Sequence, residues 1–238
     1  MKSVIFLIFA INICIINAGC VGFTTVPSVM PASVVSLGFE ATSTQMLGNQ
    51  IKFDPFVWTS ISTIQVLMES QSLLSNWMNF SCDGYNENIS ISIFDTNLTL
   101  LYYQSNSYVV PWRPEASLNC TGSRWKDVYG NCWSGLAFTI NYDIDPPVVF
   151  PPEIIYGISY NTWHYGPTPL GLPYPSDSLN VGLTLSPPYI GEDSFPGNTY
   201  INSSNPSTYG DGGPLNVFRL TTGIDPYQPT ISFLTCDC

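Results

Sequence analysis

The chain holds a single histidine, His164, within Tyr160-Asn161-Thr162-Trp163-His164-Tyr165. Imidazole is the side chain whose ordinary pKa allows proton transfer near neutrality. A Ser-His-Asp triad would have to be built on His164, but the Gly-x-Ser-x-Gly elbow that presents a nucleophilic serine is missing. The tyrosines around His164 suit a buried, hydrogen-bonded imidazole as well as a ligand contact. Carboxylates are more plentiful: Asp143 with Asp145, Glu192 with Asp193, and Asp83 with Glu87 are candidate pairs. Glycosidase chemistry needs such acids about 5 to 10 Å apart across a cleft. Asp143, Asp145 and Asp211-Gly212-Gly213 could also offer oxygen ligands to Ca2+. No EF-hand spacing accompanies them, so no cofactor, no metal ligand and no catalytic residue is assigned.

Flat rings are the stronger lead. Trp163, Tyr165, Tyr174, Tyr189, Tyr200 and Tyr209 fall in or beside the proline-rich loops of the second half, where rings can stack on sugar faces while their polar edges bond hydroxyls. Trp58, Trp77, Trp112, Trp125 and Trp133 adjoin strand-like runs or cysteines and read as packing. The chain is expected to be an extracellular or cell-surface binding or structural module, with glycans or extracellular proteins as partners and a carbohydrate-binding module or glycan-acting hydrolase as the alternative.

Seven cysteines are present, one of them, Cys14, inside an N-terminal apolar run. The other six, Cys20, Cys82, Cys120, Cys132, Cys236 and Cys238, make an even set, which in an exported protein argues for disulfides. Cys120 and Cys132 bracket the turn formers Thr121-Gly122-Ser123 and Tyr129-Gly130-Asn131 and are expected to bond to each other. A bridge within Cys236-Asp237-Cys238 would close a strained ring, so each of these reaches more easily to Cys20 or Cys82. Zinc is the competing use of the Cys-x-Cys tail, but it needs ligands that are not nearby. Asn-x-Ser/Thr sequons at Asn79, Asn88, Asn97, Asn119 and Asn202 permit glycosylation.

These residues must be held by strands. Period-2 alternation recurs, and no stretch keeps the i, i+3, i+4, i+7 pattern of a helix. Strands are expected over 63–70, 89–94, 98–104, 135–143, 153–160, 178–185, 216–220 and 230–235. One apolar and one small or polar face per strand is the mark of an antiparallel β-sandwich, jelly-roll or immunoglobulin-like. Clusters such as Asp145-Pro146-Pro147, Pro151-Pro152 and Pro187-Pro188 read as strand stoppers and edge guards. The long loop 162–176 exceeds hairpin length and reads as a surface or binding loop.

Lys2, the apolar run Val4 to Ile16 and the small pair Ala18-Gly19 have the form of a secretory signal peptide over residues 1–18. That leaves 19–238 as one secreted domain. No later apolar run is long enough to anchor the chain in a membrane. Asn17-Ala18-Gly19-Cys20 would serve as a lipoprotein site in a bacterium, but Asn17 fits such sites poorly and lipidation would leave an odd cysteine. With 17 acidic and six basic residues the net charge is −11. A phosphate-binding surface needs clustered Lys and Arg, so nucleic acid is excluded as a partner. Charged residues are only 10% of the chain against 45% hydrophobic, which leaves solubility to Ser, Thr, Asn and sugars.

Four segments in order, Val110-Pro111-Trp112-Arg113-Pro114, Asn119 to Trp125 with Cys132, Tyr160 to Gly166, and Asp177-Ser178-Leu179-Asn180-Val181-Gly182-Leu183, resemble a β-sandwich domain of bacterial and some eukaryotic exported proteins, often carried beside surface-sorting signals. The resemblance implies no activity, ligand or catalytic residue. It agrees with a Cys120 to Cys132 bridge, and it departs at the loop after His164, where relatives often carry a cysteine pair that this chain lacks. The strand ends on either side of that loop would gather Asn161, Thr162, Trp163, His164, Tyr165, Asp177 and Asn180 near one end of the sandwich. There they would form a polar binding pocket or satisfy the loop's own backbone.

Overall fold

The computed structural model describes residues 21–57, 60–76, 81–161, 179–222 and 227–235. The strands, in chain order, are β1 (Val21–Thr24), β2 (Val35–Gly38), β3 (Thr44–Lys52), β4 (Ser60–Ser70), β5 (Tyr85–Phe94), β6 (Leu100–Val110), β7 (Trp125–Lys126) and β8 (Cys132–Trp133). They continue as β9 (Leu136–Val149), β10 (Glu153–Tyr160), β11 (Leu179–Thr184), β12 (Glu192–Asp193), β13 (Thr199–Ser203), β14 (Arg219–Thr221), β15 (Gln228–Pro229) and β16 (Ile231–Thr235). A one-turn helix, α1 (Phe39–Thr42), links β2 to β3. Among the described residues no helix is long and apolar enough to cross a membrane.

Two antiparallel seven-stranded sheets pack face to face as an all-β sandwich. In the first, β4 is the axis: β9 pairs along one edge, while β16 and β11 lie end to end along the other. The second sheet runs β14-β13-β3-β10-β5-β6, with β12 added beside the end of β3. The alternation visible in the sequence becomes the core. Ile64, Val66 and Met68 of β4, Ile89, Ile91 and Ile93 of β5, and Ile154, Tyr156 and Ile158 of β10 are all buried. Each such side chain contributes roughly 1.5–3 kcal/mol by leaving water. One end is closed by Phe39 of α1, stacked on Tyr160 with ring centroids 4.3 Å apart, and by the Tyr160 hydroxyl, which donates to the Leu179 carbonyl at 2.8 Å.

Several boundaries differ from the sequence reading for local reasons. β9 runs on through Asp145-Pro146-Pro147 to Val149, because among the described residues it is an edge strand paired only with β4, where proline costs no ladder bond. β6 starts at Leu100 because Leu98 sits at φ 63° in a turn held by the Asp95 carboxylate, which accepts the Asn97 and Thr99 N–H groups. Asn216 also has positive φ, at 56°, so the expected strand there begins only at Arg219. β1, β2, β3 and β13 carry no clean alternation. In β3 the interruption is Gly48-Asn49, where Gly48 faces Gly157 of β10 and a Cβ would collide with the Tyr156 carbonyl oxygen. Phe218 lies over this glycine pair on the outer face, between Phe94 and Tyr200, each with its ring centroid 5.6 Å away.

Candidate ligand-binding groove

Lys52 closes β3 and stands opposite Glu153, the first residue of β10, on one side and Glu192 of β12 on the other. The register therefore sets carboxylate, ammonium and carboxylate in one row across three strands. Lys52 Nζ lies 3.8 Å from Glu192 Oε2, with both side chains well exposed. Glu153 is held more firmly: Oε1 accepts from Ser194 Oγ at 2.7 Å and from Gln50 Nε2 at 2.8 Å. The Ser194 and Gln50 bonds and the nearby Lys52 charge hold its carboxyl below the usual range, against partial burial. Gln50 is itself fixed by the Tyr200 hydroxyl, which donates to its Oε1 at 3.0 Å. Both donors to Glu153 land on Oε1, so Oε2 keeps its capacity to accept from a ligand.

Beside this row runs a cavity of about 630 Å3, walled by the 53–57 loop and Pro152. The loop is an Asx turn: Asp54 Oδ1 accepts the Phe56 N–H at 2.8 Å, and the Asp54 carbonyl accepts the Val57 N–H at 3.1 Å. Phe53 packs inward, edge-on to Phe233, while Phe56 projects outward at 93% exposure. A second depression of about 430 Å3 shares Gly191 and Glu192 and continues to Pro187, Pro188 and Gln228. The trough thus sets an exposed ring and proline faces beside a fixed carboxylate acceptor and an exposed lysine donor.

No known protein family, curated protein or solved structure matches this chain.

Of the residues singled out in the sequence, Glu192 lines the groove, while Asn161 and Asn180 fall elsewhere. Glu153 and Tyr160 are the two ends of β10, about 23 Å apart at ~3.3 Å per residue, so Asn161 marks the end of the sandwich opposite the groove. Asn161 is exposed there, and its backbone N–H bonds the Glu87 carboxylate. Glu87 is on the core-facing side of β5, and burial pushes its carboxyl up to about 7 despite bonds from the Asn161 and Asn88 backbones. Asn180, expected at a binding pocket, is instead buried. Pairing of β2 over β11 covers it, and its Nδ2 donates to Ser36 Oγ at 2.9 Å. Ser36 in turn donates to Glu69, a buried carboxylate of β4 that also accepts from Ser33 Oγ, the Val34 N–H and Gln71 Nε2. Nothing in the sequence pattern singled out Glu69. Trp163, His164, Tyr165 and Asp177 lie outside the described residues.

Cys120 and Cys132 form the expected disulfide, with Cα atoms 5.8 Å apart. It ties the β7–β8 hairpin, inside which Trp125 is buried and donates to the Gly135 carbonyl at 2.7 Å. Cys82, expected to bridge, is exposed in the tight turn between Ser81 and Gly84 and bonds to no other described cysteine. Its expected partners Cys20, Cys236 and Cys238 lie outside the described residues, as do residues 1–18 and Asn79. Of the other sequons, Asn88, Asn97 and Asn119 are exposed and Asn202 is half-buried.

The proposed Ca2+ ligands are otherwise engaged or isolated. Asp211 is clasped by both terminal nitrogens of Arg219, at 2.6 and 2.8 Å, and also accepts the Gly213 N–H. The Arg219 bonds hold its carboxyl well below the usual carboxylate range. Asp143 is exposed on the outer face of β9, accepting from Thr63 Oγ1 at 3.4 Å. Among the described residues no three His, Cys, Asp or Glu are placed to share a metal ion. Of the tyrosines read as sugar platforms, Tyr200 and Tyr209 are buried and Tyr189 is exposed, while Tyr165 and Tyr174 lie outside the described residues.

Proposed function

We propose that this chain is a secreted, disulfide-bonded binding module of the extracellular space or cell surface, and that its ligand is a glycan docked in the Lys52–Glu153–Glu192 groove. The observation that carries this reading is the pairing of the projecting Phe56 ring with the Glu153 carboxylate in one cavity. A sugar ring over Phe56 would place hydroxyls against Glu153 Oε2 and Lys52 Nζ. The signal-like form of residues 1–18 and the Cys120–Cys132 disulfide support the location.

A glycan array with the mature protein, repeated with Phe56→Ala, tests it. Binding that falls about tenfold or more on loss of the ring, equivalent to about 1.4 kcal/mol, is the expected result. Absence of binding to any glycan, or full binding by the variant, overturns it. A second reading, a glycan hydrolase, draws on the same row, since Glu153 and Glu192 flank Lys52 with backbones about 10 Å apart at ~4.8 Å per strand. Cleavage of the array's best ligand, abolished by Glu153→Gln, would favour it.

A further inference from the structure

Sheets leave two free edges, and proteins guard them with short strands, prolines, charges or bulges. Most edges here are so guarded. β14 has three residues, β1 has four with a bulge, and β9 carries Asp143, Asp145, Pro146 and Pro147. β6 is different: it pairs with β5 along one edge, no described strand pairs with the other, and its eleven residues include no charge and no proline. Its outward side chains Leu101, Tyr103, Ser105, Ser107 and Val109 are all exposed.

The order of residues in β6 says what covers this edge. Leu-Leu-Tyr-Tyr-Gln-Ser-Asn-Ser-Tyr-Val-Val is close to a palindrome about Ser105. Pairing β6 antiparallel with itself on that centre puts Leu100 opposite Val110, Leu101 opposite Val109, Tyr102 opposite Tyr108, Gln104 opposite Asn106, and Ser105 opposite its own copy. Only Tyr103 with Ser107 joins unlike side chains. Directly opposed residues share a face, and the faces agree here, since the even positions 102 to 108 turn inward and the odd ones outward. The two-fold axis required of an isologous contact therefore has a place to pass, beside Ser105.

We propose that β6 is a homodimerisation edge, on which a second copy of this chain adds its own β6 antiparallel in the register centred on Ser105. The second sheets of two copies then become one continuous sheet. Apolar and aromatic pairs flank a polar centre, and no charge is brought against a like charge although the chain as a whole is acidic.

Sedimentation velocity on the mature protein over a range of concentrations tests this. A monomer–dimer equilibrium with a dissociation constant on the order of micromolar is expected for an edge contact of this size. Ser105→Lys puts two ammonium groups opposite each other at an exposed position and is expected to weaken the dimer more than tenfold, with an unchanged unfolding midpoint for the monomer. Mixing Ser105→Lys with Ser105→Glu chains restores a dimer if the register is right. A wild-type chain that stays monomeric at every concentration overturns the proposal, including the case in which the edge takes up a foreign strand. So does a Ser105→Lys chain that dimerises like wild type, or a Lys/Glu mixture that stays monomeric.

Discussion

Glu87 faces the interior of the sandwich from β5, directly opposite Tyr108 of β6, and burial raises its carboxyl to about 7. An unfolded chain would hold the same carboxyl near its ordinary value of 4.5. Between those two values the folded state binds the extra proton, so stability attributable to this group is complete below pH 4.5 and is lost as pH rises through 7. The difference corresponds to about 3 kcal/mol at 1.36 kcal/mol per pH unit, and because the side chain is only half-buried, solvent screening brings this to about 1–2 kcal/mol. Glu87→Gln removes the ionisation while keeping an oxygen to accept the Asn161 N–H. Urea unfolding of both proteins at pH 5 and pH 8 is the assay. The variant is expected to be about 1–2 kcal/mol more stable than wild type at pH 8 and close to it at pH 5. A difference that does not depend on pH, or a less stable variant at pH 8, would refute the reasoning.

Two further substitutions probe the frame. Glu69→Ala strips the acceptor from Ser33, Ser36, Gln71 and the Val34 N–H and is expected to cost about 3 kcal/mol or more, read as a lower midpoint in urea; Glu69→Gln, which keeps the shape, should cost less. Gly48→Ala forces a methyl against the Tyr156 carbonyl in the middle of the second sheet, a loss of about 3 kcal/mol or more; circular dichroism and expression yield report it, and a variant as stable as wild type would mean that β3 and β10 are not in the register Gly48↔Gly157.

The strands most legible in the sequence are those whose large apolar residues recur at every second position. β10 is found to the residue because Ile154, Tyr156, Ile158 and Tyr160 alternate with smaller groups. β3 is as central but illegible, because it is wrapped on both faces and close approach to β10 demands glycine where alternation would place a side chain. Asn180 and Glu69 show a second limit. A polar residue on a strand reads as solvent-facing or ligand-facing, and only the pairing of β2 beside β11 reveals that both are buried, Glu69 accepting from Ser33 and Ser36 and Asn180 donating to Ser36. The groove shows a third. Its parts come from 52–57, 152–153 and 191–192, brought together by strand register alone, and the proline pairs that edge it read locally as punctuation. The Cys120–Cys132 bridge was legible because both cysteines flank one local hairpin.

The central claim, that a glycan binds in the groove at the Lys52 end of the second sheet, is tested most directly by titrating the array's best ligand into isotope-labelled protein and following amide chemical shifts. Shifts confined to Lys52, Phe56, Glu153 and Gly191 to Asp193 are the predicted result. Shifts gathered instead around Asn161 and Asn180 at the opposite end would contradict it.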